Sequence, residues 1–204
     1  MLITGLRRPF VKGRLFLRCQ KGLAAVEFAF LLPVMITLFL GITETSDALS
    51  ARADVADMAS TAADLVAQET AATPVDMANV FNAAAAILYP YPTNVATITL
   101  YSIIDNGSSQ GRVAWSCAKT GDSPATTGPS SPPSGSTGGD IIADSNLVNG
   151  VATHGGGGSV ILVTISYPYS SRTTHMFVGT VTMSNTFYSK PRRVAQVTPP
   201  ASCS

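Results

Sequence analysis

Hydrophobic and polar positions are distributed very unevenly along this chain. From Leu23 to Ile42 it reads LAAVEFAFLLPVMITLFLGI, twenty residues in which Glu27 is the only charge. At about 1.5 Å of rise per residue, such a run spans the roughly 30 Å hydrocarbon core of a bilayer. No other apolar run reaches half that length; ILVTI at 161–165 and AAAAIL at 83–88 come nearest. Past Ile42 the pattern changes to helical spacing. Ala48, Val55, Ala59, Ala62 and Val66 recur on one stripe with Leu49, Met58 and Leu65 beside it, while Asp47, Asp54, Asp57 and Asp64 lie off it. The pattern predicts one helix from Leu23 to Gln68, about 70 Å long, half in the bilayer and half outside. Its Ala-rich stripe suits packing on this protein's own sheet or against other helices. Pro33 removes one backbone hydrogen bond and predicts a kink, and Gly41 loosens the helix where it leaves the bilayer.

The remainder predicts a small exported domain. Thr73-Pro74-Val75-Asp76 supplies an N-cap, a Pro at the first helical position and an acid three residues on, so a short helix follows to about Leu88. Tyr89-Pro90-Tyr91-Pro92 ends it, because a residue before Pro is pushed away from helical geometry. Strand signals then occupy 95–104, 111–118, 159–167 and roughly 175–188, with 105–111 as a hairpin loop. The expected fold class is α+β: a long N-terminal transmembrane helix continuing into a periplasmic helix, packed on a small, mostly antiparallel four-stranded sheet. Residues 120–139, TGDSPATTGPSSPPSGSTGG, are of low complexity and read as a surface loop. The four glycines at 155–158 precede a strand and lack phosphate-loop spacing.

Charge orients the helix. Only 12% of the 204 residues are charged, against roughly 25% in a soluble domain, and 46% are hydrophobic. The net charge of +1 conceals two oppositely charged pieces. Residues 1–22 hold Arg7, Arg8, Lys12, Arg14, Arg18 and Lys21 with no acid, a charge of +6, leaving −5 for the rest. Retained basic residues keep the N-terminus cytoplasmic, so the acidic flank at Glu44, Asp47, Asp54 and Asp57 is translocated. A secretory signal peptide shares this layout, with Ala51-Arg52-Ala53 as its small-residue cleavage site, but that triplet lies within the predicted continuous helix.

Glu27 is the most informative residue. An ionised carboxylate in an apolar span costs about 2.5–3.5 kcal/mol at mid-membrane, so something must offset it. One account is that Glu27 snorkels to the headgroups, about 6 Å of helix from Leu23. Another starts from Lys21-Gly22-Leu23-Ala24-Ala25-Val26-Glu27-Phe28, which resembles the prepilin-peptidase site of type IV pilins, cut after Gly with Glu fifth in the mature chain. Cleavage after Gly22 would free an α-amine on Leu23, four residues from Glu27 and at salt-bridge spacing on a helix. In pilins this carboxylate meets the terminal amine of its own chain or of a neighbouring subunit. The same cut removes Cys19 from the three cysteines and leaves Cys117 and Cys203 to pair outside the cytoplasm, the alternative being two free thiols.

With these parts in place the chain resembles the TadE/TadG-like proteins of the tight-adherence (Flp) pilus system. The resemblance is carried chiefly by GLAAVEFAFLLPVMITLFLGITE and by ADMASTAADLVAQ at 56–68. The blocks VAWSCA at 113–118, VTISYPY at 163–169 and YSKPRR at 188–193 are looser matches to the longer members. It implies an accessory pseudopilin of the bacterial inner membrane that is processed by prepilin peptidase and works with other pilin-like subunits and the assembly machinery of an adhesive pilus. The implied division is a leader at 1–22, a transmembrane and extended helix at 23–70, and a periplasmic domain at 71–204. Gly22 and Leu23 flank the cut, and Glu27 and Phe28 serve assembly. A single-pass anchored periplasmic binding or enzymatic module is the competing function. Against an enzyme, His154 and His175 are isolated, no hydrolase or metal motif appears, and no cofactor is expected. Lys190, Arg192 and Arg193 form a basic patch without interleaved aromatics, so no nucleic-acid partner is expected.

Overall fold

The computed structural model describes residues 22–105, 111–131, 159–171 and 179–203. Residues 1–21 of the expected leader, 106–110 of the expected hairpin loop, 132–139 of the expected surface loop, His154, the four glycines and His175 lie outside the described residues. Helix α1 runs unbroken from Leu23 to Gln68, through Pro33. Its hydroxyl groups near the apolar run bond within the helix, Thr37 donating to the Pro33 carbonyl at 2.7 Å and Thr43 to Leu40 at 2.9 Å. Internal satisfaction of this kind is what a lipid environment demands. Helix α2, Pro74–Ile87, starts as expected. The Thr73 hydroxyl accepts from the Asp76 amide at 3.2 Å, and the Asp76 carboxylate accepts from the Thr73 amide at 3.1 Å.

Strands β1 (Thr97–Asp105), β2 (Gly111–Thr120), β3 (Thr126–Thr127), β4 (Ser159–Tyr169) and β5 (Val181–Ser189) form one antiparallel sheet in the order β3-β2-β1-β4-β5. The expected four strands are therefore five. Residues 120–139 are not all solvated loop, because Thr126 and Thr127 pair with Ala118 and Cys117, Ala125 is buried, and Ser116 Oγ donates to the Pro129 carbonyl at 2.8 Å. At the end of β2 the chain turns at Gly121, where φ is +54° and an added Cβ would lie 2.1 Å from the Asn94 carbonyl oxygen, so only glycine fits.

One face of the sheet carries Ile98, Leu100, Trp115, Cys117, Ile161, Val163, Ile165, Tyr167 and Tyr169, which form a single core with α1 and α2. α1 contributes Ala51, Val55, Met58, Ala59, Ala62, Ala63, Val66 and Ala67, all fully or almost fully buried. Of the two partners open to the Ala-rich stripe, its own sheet is the one it meets, and the small side chains bring the helix close. The stripe differs from expectation at Leu49, which points outward, and at Ala51, Ala63 and Ala67, which widen it. Tyr101, Ile103, Val160 and Leu162 make a smaller cluster on the other face.

After β5 the tail crosses the distal end of the domain. The Arg192 amide donates to the Ala67 carbonyl, Thr198 exchanges bonds with residues 70 and 72, and Trp115 Nε1 donates to the Val197 carbonyl at 3.1 Å. A disulfide then joins Cys203 to Cys117, with Cα atoms 5.5 Å apart.

Candidate functional site

The two halves of α1 have opposite surroundings. From Leu23 to Phe39 every side chain is exposed, and no residue of the most apolar stretch is buried within the chain. Packing begins at Glu44, two residues past the apolar run. By length and composition α1 is a membrane-span candidate, and among the described residues it is the one such helix.

Gly22 precedes the helix and makes no side-chain cap, and a Cβ built there would meet nothing within 4 Å. The fold of this chain therefore gives no steric reason for glycine at that position. Leu23 opens the helix, with Glu27 one turn on and Phe28 beside it, all three exposed. Among the described residues Glu27 has neither a hydrogen-bond nor an ion-pair partner, and no acid occupies the first helical turn. The structure thus keeps Gly22, Leu23, Glu27 and Phe28 together at one helix end, remote from Cys117 and Cys203 in the domain. Ala51, by contrast, is buried in the core, and a signal peptidase acting there would cut through the packed half of the helix.

Glu44, counted by its charge in the translocated acidic flank, is completely buried. A signal for this exists in the sequence: Ala51, Val55, Met58, Ala62 and Val66 follow it at 7, 11, 14, 18 and 22 residues, one helix face. The acidic flank proper is half-buried Asp47 and Asp54 with exposed Asp57. Burial, and after it the neighbouring Asp57, raises the Asp54 carboxyl above its ordinary 3.8. Farther along, Asp64 pairs with Arg192 of the tail across an open groove of about 800 Å³ between α1 and β5, lined also by Thr61, Leu65, Phe187 and Lys190. Lys190 and Arg192 belong to this groove rim, so the basic patch is part of the clamp on the end of α1. Among the described residues no cluster of His, Cys, Asp or Glu is arranged to hold a metal.

A single apolar helix left bare at its start and buried at its end in a small antiparallel domain is a pilin-like arrangement. Residues 22–64 match the family model described as TadE-like protein, the family the sequence resembles. The match covers Gly22, Leu23, Glu27 and Phe28, the whole apolar half and most of the packed half. No curated protein and no solved structure matches the chain. Over residues 22–64 the chain is thus similar to TadE-like proteins, a family of pilus components.

Proposed function

We propose that the chain is an accessory pseudopilin. Prepilin peptidase cuts it after Gly22, and it then helps to assemble or anchor an adhesive pilus from the inner membrane, with its domain in the periplasm. On this reading residues 1–22 are the leader, 23–70 the transmembrane and extended helix, and 71–204 the periplasmic domain. The observation that carries the reading is an exposed carboxylate, without a partner among the described residues, one turn into a bare apolar helix and preceded by a glycine at which a Cβ would meet nothing within 4 Å.

The electrostatics support the cut. A free amine at Leu23 would sit at the positive end of the helix dipole, where a cation is unfavourable. Glu27, about 6 Å along the axis, offsets both that cation and its own exclusion from water. Because the side chain faces away from this chain's own domain, the amine of another pilin-like subunit reaches it as readily. Glu27→Gln keeps the shape and removes the charge, so it should leave the protein made and membrane-inserted while piliation and surface adhesion fall to background. Wild-type piliation and adhesion by Glu27→Gln and Glu27→Ala cells would remove Glu27 from assembly.

A further inference from the structure

We propose that the end of the domain from which α1 emerges rests on the lipid headgroup layer, with Tyr89 as its aromatic anchor. This rests on the reading that the apolar half of α1 spans the membrane. The distances then leave no room for a spacer. The apolar run ends at Ile42, Glu44 is already inside the domain, and the Tyr91 hydroxyl donates to the Asp47 backbone carbonyl at 2.8 Å. Asp47 lies five residues past Ile42, about 7–8 Å along the helix axis. The headgroup region outside the hydrocarbon core is itself about 5–8 Å deep on each side. The Tyr89–Pro92 segment is therefore held at headgroup level.

Other elements gather at the same end. Tyr169, the last residue of β4, meets Tyr91 edge-on with ring centroids 5.9 Å apart, and it pairs with Val181, the first residue of β5. Val95 leads into β1, whose first residue pairs with Ser166. On this rim Tyr89 is 83% exposed, Val181 47% and Val95 39%. Among the described residues, the large apolar side chains exposed beyond the span divide between these three and Leu49 at the membrane end and Val75 and Phe187 toward the other. A tyrosine with an apolar ring and a polar hydroxyl suits the interface. Asp47 and Asp122 at the same end set the depth, since carboxylates belong among hydrated headgroups rather than in hydrocarbon.

Tryptophan fluorescence of the full chain in phosphatidylcholine–phosphatidylglycerol vesicles tests this, with Trp115, the one natural tryptophan, as a buried background. Tyr89→Trp should lose emission by about a factor of two when a headgroup spin label is present. Val75→Trp, at the far end of α2, should not respond, and Phe30→Trp should respond to acyl-chain bromines. Quenching of Phe30→Trp without quenching of Tyr89→Trp would overturn the headgroup contact and leave the span intact. Quenching of neither would remove the span and the contact together. An unquenched emission shift in Tyr89→Trp that grows with the protein-to-lipid ratio would assign the rim to a second copy and equally overturn the proposal.

Discussion

The two halves of α1 share one backbone, and their sequences differ in kind. Between Leu23 and Thr43 most side chains are large and apolar and none is buried within the chain, whereas between Glu44 and Gln68 nine are buried, five of them alanine. Large side chains fill a bilayer and small ones let a helix lie close on a sheet. Apolar content alone therefore does not locate the core of this protein. The most hydrophobic segment stands outside the core, and the less hydrophobic one forms its spine. The charges follow the same division: Glu27 is exposed where the surroundings are apolar, while Glu44 is buried where the flank looks polar.

Four substitutions test that contrast. The largest effect is expected from Cys203→Ser, which opens a link between residues 86 apart and should cost the domain about 4–5 kcal/mol in the chain-entropy model. Urea unfolding followed by Trp115 emission measures it, and the helicity of the apolar half should not change. Next, Met58→Ala removes a fully buried side chain and should lower domain stability by about 2–5 kcal/mol. The matched change in the bare half, Phe30→Ala, should leave the same transition where it was. A domain that loses stability on Phe30→Ala would show that the first half packs on it after all.

The smallest change in stability, apart from the null expected of Phe30→Ala, comes from Asp54. Its carboxyl is raised above the ordinary 3.8, so the folded domain takes up that proton more readily than the unfolded chain. The stability it contributes is fully present below 3.8 and is lost as pH rises through the raised value. Asp54→Asn should therefore match the parent in acid and exceed it at neutral pH, by under about 1 kcal/mol because the site is partly solvated. Paired urea melts at the two pH values resolve the sign.

Much of this was legible in the sequence. The extent of α1, the Thr73 cap and the four longer strands follow from local signals: apolar length, an S/T-x-x-acid start and β-branched runs. What escaped depended on partners distant in sequence. β3 forms because Thr126 and Thr127 find the edge of β2. β4 continues past the expected Tyr167 through Pro168 to Tyr169, because β5 pairs with it there. The tail becomes a clasp only where Val197 and Thr198 meet Trp115 and the end of α1. The burial of Glu44 is a different case: its charge points to solvent, while its helical phase with Ala51 and Val55 places it on the buried face.

Cleavage after Gly22 is read most directly from the N-terminus of the protein in the membrane. Intact-mass and N-terminal peptide analysis of the protein recovered from membranes of cells that contain the peptidase should find Leu23 first, with residues 1–22 gone. Recovery of the chain with Met1 still in place would contradict it.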